Sequence, residues 1–200
     1  MELRKLTVEG FINETASSSP APGGGSIAAL NASSSAALIA MVANLTLGKE
    51  KYAAVEGDMK EVAAKAAALK DDFLALIDED SNAFNKIMAA FKMPKDTDEA
   101  KKARSAAIQD ATKGAALVPF KVGQKANELF ALAETVITKG NQNAITDGAV
   151  AAVRGAFLNV KINLGSIKDT LFVEDLKKRM AEIEKEVDAR EKALLDQVKL

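Results

Sequence analysis

Apolar positions recur every three or four residues along almost the whole chain, and no stretch alternates in twos as a half-buried strand would. The sharpest seam is Phe73, Ile77, Asp80, Phe84, Ile87 and Phe91, at spacings of 4, 3, 4, 3 and 4, within a helix expected from about Ala53 to Phe91. One carboxylate, Asp80, interrupts that apolar line. Asp78, two residues earlier and about 200° round the helix, points elsewhere.

The same reading divides the rest of the chain. Leu3, Leu6, Val8, Phe11 and Ile12 give residues 3–17 one apolar side, and Pro20 and Pro22 stop that helix. Gly23–Gly25 make a turn, and a helix from about Ser26 to Leu47 follows, with Ile27, Leu30, Leu38, Met41 and Leu45 as its apolar stripe. Met93-Pro94 breaks the long helix, and Asp96 with Glu99 forms a capping box for one that runs to about Val118. Pro119 separates it from a helix of roughly Phe120 to Thr138. The polar loop GNQNAITDG (140–148) leads to a helix from Asp147 to about Leu164. Its apolar edge is Val150, Val153, Phe157, Val160 and Leu164, beside a small-or-amide edge of Gly148, Ala152, Gly155, Asn159 and Asn163. Thr170 to Leu200 is a charged helix with Leu176, Met180, Ile183, Val187, Leu194 and Val198 on one face, suited to packing across a bundle or a subunit contact. The expected fold is all-α: one domain over residues 1–200, a multihelical bundle of long antiparallel helices.

Composition narrows the chemistry. Lys plus Arg (27) nearly balances Asp plus Glu (28), so there is no nucleic-acid footprint. The chain has no cysteine, which removes thiol nucleophiles and disulfides and suits a reducing cytoplasm. It has no histidine either, which removes His-based triads and the His/Cys zinc sites of the zinc deaminases. Acid–base work must fall to Asp, Glu, Lys, Tyr or backbone groups. The opening MELRKLTVEGF has no apolar h-region of a signal peptide. Ile27–Leu47 is long enough for a membrane span, but Asn31, Ser33, Ser34, Ser35, Asn44 and Thr46 favour a buried helix of a soluble protein.

Two features could carry function. Between Glu14 and Lys49 there is no charged residue, and the stretch opens with Pro22-Gly23-Gly24-Gly25-Ser26. A Gly-rich entry to a helix presents unpaired N–H groups and the positive end of the dipole, fit for an anion or a carbonyl oxygen; it also serves as a tight entry under a packed neighbour. It is neither a Walker A loop nor GxGxxG, so nucleotide binding is a poor fit. Asp80 is the second. An apolar seam removes hydration and raises a carboxyl pKa, which poises it as a general acid–base group near neutrality. The alternatives are a pairing with Lys or Arg, or a helix cap. Asn141, Asn143 and Asp147 could grip a polar heterocycle or merely satisfy turns, and Asn159 and Asn163 read as hydrogen-bond partners between helices. Lys49, Lys51, Lys139 and Lys161 offer a basic rim for an acidic ligand.

Three stretches together, FINETASSSPAPGGGSIAALNASSSAALIAMVANLTLGKEKY, DEDSNAFNKIMAAFKMPK and GNQNAITDGAVAAVRGAFLNVKINL, resemble the cyclodeaminase/cyclohydrolase family of tetrahydrofolate enzymes, in the same order and over nearly the whole chain. That family domain forms the C-terminal half of vertebrate formiminotransferase-cyclodeaminase and also occurs alone in bacteria. The resemblance implies an all-helical homodimer whose metal-free chemistry, without a prosthetic group, acts on a one-carbon unit carried by tetrahydrofolate. The family's catalytic carboxylate is the second acid of D-x-D-x-x-A-F, which falls here on Asp80 within Asp78–Phe84. The glycine turn, Asn143 and Asp147 also match family positions and are expected to line the folate pocket, with Lys49 near its mouth. Asn31 and Ser33–Ser35 stand where small Ala or Gly residues are usual, and Thr146-Asp147-Gly148 where Ser-Asp is usual. The activity implied is cyclodeamination of 5-formiminotetrahydrofolate, with 5,10-methenyltetrahydrofolate cyclohydrolase as its rival. No transferase domain is visible, so a formiminotransferase would be a separate partner. A non-catalytic helical dimer is the reading of another class.

Overall fold

The computed structural model describes residues 2–141, 157 and 159–195. A 3-10 turn at Leu3–Lys5 precedes α1, Val8–Thr15, whose N-cap Thr7 accepts a hydrogen bond from the Gly10 N–H at 3.0 Å. The chain then passes the cis Ala21-Pro22 bond and enters α2, Gly24–Thr46. A 3-10 helix at Glu50–Val55 leads to α3, Glu56–Phe91. The long α4 spans Asp98–Lys139. The described part of α5 is 159–164, and α6 is Thr170–Leu195. No strand occurs among the described residues, so the expected all-α class holds.

The expected boundaries differ in four places. Residues 3–17 are not one helix, because Leu6 and Thr7 turn extended between the 3-10 turn and α1. Gly24 and Gly25 are the first residues of α2 rather than a turn before it, with Gly23 as N-cap. The cap of α4 is Thr97, whose hydroxyl accepts from the Ala100 N–H at 3.1 Å, not an Asp96–Glu99 box. Pro119 does not divide the chain: it is buried inside α4, which runs straight through it. A proline ring removes one N–H and leaves the carbonyl four residues earlier without its partner. That carbonyl belongs to Ala115, and the Asn163 side-chain amide donates to it at 3.2 Å. The helix continues because α5 satisfies the group that proline orphans.

The core lies where α2 packs along α3 and α4. Its α2 contribution comes from small residues: Ala28, Ala29, Ala32, Ser35, Ala36 and Ala43, together with Ile39 and Val42. The expected stripe is therefore corrected. Leu38, Met41 and Leu45 are 42%, 44% and 45% exposed and form an outer, uncharged face. Small side chains let helix backbones approach closely, which fills the interior without large residues. By length and composition α2 could cross a membrane, with a mean hydropathy of 1.6, yet 56% of that window is buried within the chain. Phe73, Leu76, Ile77, Phe130 and Leu129 complete the centre, and Leu176, Met180 and Val187 of α6 dock on it. The seam of α3 fades past Asp80, and Phe91 is 49% exposed. On the other side of α3, Asp78 ties down the N-terminal segment. It accepts from the Leu3 N–H at 2.6 Å and pairs with Arg4 Nε at 3.3 Å.

The Phe157 ring lies directly against Gly123 of α4 and stacks on Phe120, with centroids 6.1 Å apart. A methyl group at position 123 would overlap that ring, which is fully buried and has nowhere to retreat. Helix propensity alone would make Gly123→Ala stabilising by about 1 kcal/mol. The overlap is expected to reverse the sign and cost about 1–3 kcal/mol. Chemical denaturation of the two proteins reads that sign, and a more stable variant would contradict this packing.

Candidate active site

The site is built where the first turn of α2 meets α3 and α5. Gly25 carries no side chain, and the Asp80 carboxylate occupies the space one would fill: a Cβ there would sit 2.6 Å from Asp80 Cγ. Gly24 does the same for Asn159, whose Oδ1 and Nδ2 would lie 2.6 and 2.7 Å from its Cβ. Two glycines thus let a carboxylate and an amide reach the helix backbone from opposite neighbours. Pro22 is buried just before them. Ser26, fully buried, holds its hydroxyl 3.0 Å from Asp80 Oδ2, 3.1 Å from the Ile77 carbonyl and 3.3 Å from Ser81 Oγ.

The electrostatics of Asp80 follow from these neighbours. Burial pushes its carboxyl above the ordinary aspartate range, and the hydrogen bonds from the Ser26 hydroxyl and backbone N–H only partly oppose that. Among the described residues no Lys or Arg pairs with it, so its partner is a neutral hydroxyl rather than a cation. The unpaired N–H groups at the start of α2 give the site a positive dipole end beside this acid. The arrangement suits a group that takes and returns protons, and it leaves the anionic form in want of a cationic ligand.

Other residues singled out in the sequence fall elsewhere. Lys49 follows the far end of α2, about 35 Å along the axis from the glycines at 1.5 Å per residue, and so cannot reach them within one chain. Lys51 lies over the adjacent Tyr52 ring, Lys139 pairs with Asp58 at 2.6 Å and Lys161 with Glu184 at 2.9 Å. The expected basic rim is therefore dispersed, with Lys139 and Lys161 held in ion pairs. Asn141 is tied to that far end too, its N–H donating to Thr46 Oγ1 at 2.8 Å. Asn143 and Asp147 lie outside the described residues. Asn163 bridges helices as expected, while Asn159 proves to be at the site. Ser81 had not been singled out, although a serine next to the acid of an apolar seam was a visible signal.

A model of the formiminotransferase-cyclodeaminase family matches residues 7–182. A methenyltetrahydrofolate cyclohydrolase of Methylorubrum extorquens is 41% identical over 96% of this chain and 96% of that protein. A formimidoyltransferase-cyclodeaminase of Mus musculus is 32% identical over 90% of this chain, which spans only 35% of the mouse protein. The crystal structure of a formiminotetrahydrofolate cyclodeaminase from Thermotoga maritima superposes with a TM-score of 0.84 at 25% identity, covering 98% of both chains.

The raised carboxyl of Asp80 has a thermodynamic consequence of definite sign. Between the ordinary aspartate value of about 3.9 and its own higher value, Asp80 keeps its proton in the folded chain but not in the unfolded one. Stability contributed by this group is therefore present at low pH and lost as pH rises through the folded value. Asp80→Asn is expected to be more stable than the parent at pH 7, with the gap closing towards pH 4. Denaturant titrations at both pH values check it; a gap that widens on acidification would show that the carboxylate is instead stabilised where it sits.

Proposed function

The chain belongs to the formiminotransferase-cyclodeaminase family, and from that membership we propose that it is an enzyme acting on the one-carbon bridge of a tetrahydrofolate derivative. The observation that carries this reading is the half-buried Asp80, whose partners among the described residues are the neutral hydroxyl and backbone N–H of Ser26, set against the start of α2. The methenyl bridge between N5 and N10 is an amidinium cation. A desolvated carboxylate that no cation among the described residues pairs with complements that charge and can move a proton at the same carbon.

The whole-length similarity to the Methylorubrum cyclohydrolase favours hydrolysis as the net reaction. Water adds to the bridge carbon while Asp80 takes one of its protons; as the C–N5 bond breaks, the adduct hydroxyl gives up its proton to become the formyl C=O, N5 gains one in exchange, and 10-formyltetrahydrofolate leaves with one net proton on Asp80. Cyclodeamination is the second reading, favoured by the matching fold of the Thermotoga enzyme. There N10 attacks the formimino carbon, Asp80 carries the proton from N10 to the departing nitrogen, and ammonia is released. Holding the folate beside the Asp80 carboxylate keeps N10 close enough for intramolecular closure. Pro22, Gly23 and Ser26 shape this end of the pocket, and Asn143 and Asp147 belong to the same reading as ligand contacts.

A cytoplasmic homodimer with no prosthetic group, no nucleic acid and no membrane is part of the proposal. The cysteine-free sequence supports the compartment. The uncharged outer face of α2, with Leu38, Met41 and Leu45, supports a second copy as its cover. Two such helices crossing antiparallel about Ala37 would carry each Lys49 to the other copy's glycine turn, where it could meet the acidic tail of the folate. Under the second reading a formiminotransferase, which the mouse relative carries in one protein with its cyclodeaminase, would supply the formimino substrate.

Purified protein offered 5,10-methenyltetrahydrofolate is expected to discharge the methenyl chromophore faster than buffer does. Offered 5-formiminotetrahydrofolate, a deaminase would instead raise chromophore and ammonia together. Asp80→Asn is expected to lower kcat on the reactive substrate by about 10²–10⁴-fold. A variant within a factor of two of the parent would remove Asp80 from the mechanism.

A further inference from the structure

Ser26 is the buried partner of Asp80, and its hydroxyl is also 3.3 Å from Ser81 Oγ. Ser81 in turn lines a cavity of about 430 Å³ on the Asp78 side of α3. The walls of that cavity include Ser19, Asp78, Asn82, Asn85 and Lys92, which suit it to water. An unbroken path of hydroxyls therefore runs from Asp80 through the helix packing to a polar space that Asp80 itself does not line.

We propose that Ser26 and Ser81 are relay residues that exchange protons between Asp80 and water in this cavity while substrate covers the front of the carboxylate. The proposal rests on the folate reading above, because that chemistry has a proton to dispose of. A methenyl cation plus water gives a neutral formyl product and one proton, so each hydrolytic turnover leaves Asp80 with a proton that must depart. Deamination has the reverse need and takes protons up. In the outward direction the Asp80 carboxyl passes its proton to Ser26 Oγ. Ser26 releases its own proton to Ser81 Oγ, and Ser81 releases its own to a cavity water. Each O–H bond formed is matched by one broken, and both serines end neutral with their hydrogen bonds reversed. The Ile77 carbonyl, 3.1 Å from Ser26 Oγ, offers the hydroxyl a resting acceptor between transfers.

The experiment compares the parent, Ser81→Ala and Ser81→Thr with the better of the two folate substrates at low and rising imidazole concentration, after subtracting the imidazole-catalysed background. Ser81→Ala keeps the Asp80–Ser26 contact and removes only the second hydroxyl. It is expected to lose about tenfold in kcat with KM unchanged, and to recover as imidazole takes over the exchange. The parent and Ser81→Thr are expected to be insensitive to imidazole. Ser81→Ala at parental kcat in the lowest buffer would overturn the relay, as would a loss that imidazole does not repair. An active parent with either of those results removes the relay alone, whereas a parent inert on both folates removes the folate reading and the relay with it.

Discussion

Everything at this site depends on the absence of two side chains. At Gly24 and Gly25 the first turn of α2 is bare, and the space so released is taken by Asn159 from α5 and Asp80 from α3. A methyl group at either position would collide with a polar group that has come from another helix. The first turn of a helix is also where backbone N–H groups are unpaired, so the polar groups arrive where donors are in surplus. The same approach explains why a carboxylate can lodge on an otherwise apolar seam: the seam opens onto backbone there, not onto hydrocarbon.

The surrounding helices hold that meeting point from several directions. Asp78, on the same helix as Asp80 but facing away, fastens the segment that precedes the glycines by gripping the Leu3 N–H and Arg4. Asn163, one turn beyond Asn159, caps the Ala115 carbonyl that Pro119 leaves without a donor. That bond fixes α5 to the middle of α4, and the Phe157 ring pressed on Gly123 fixes it again nearby. Close approach of backbone recurs at Gly24, Gly25 and Gly123, in keeping with an α2 face built largely from alanine and serine. Such a face tolerates little displacement, because small residues have no flexible ends to absorb it.

These devices differ in how far a sequence reveals them. Asp80 was legible because helical spacing is a property of one segment, and an acid among Phe73, Ile77 and Phe84 is conspicuous whatever packs against it. The outer face of α2 was misread for a physical reason. Large residues mark a core only when partners leave room for them, and here α3 and α4 come too close for anything but small ones. Pro119 was misread because its compensation lies 44 positions later, in Asn163, and no local rule contains that information. Lys49 was placed by nearness in sequence to the glycines, while a 23-residue helix carries it to the other end of the molecule. Within one chain its distance from Asp80 is a matter of geometry, and only a second chain could cancel it.

A carboxylate supported by hydroxyls is suited to both reactions considered for the family, and this bears on how they could be told apart. Each makes one bond and breaks another at a single carbon, with the two exchanging atoms on the same side as a proton carrier. In the proposed function Asp80 serves either pair. A cationic partner would fix the carboxylate as an anion and spoil it for returning protons; Ser26 leaves both states accessible. Selection between hydrolysis and deamination must therefore come from what stands beside Asp80, namely whether a water is admitted next to the bridge carbon or excluded in favour of N10. Asn159, whose amide lies against Gly24, is the neighbouring polar side chain at the same helix turn. A group that can both donate and accept is able to hold a water there or to displace one, and the difference between two enzymes of this shape is then one of local hydration more than of catalytic machinery.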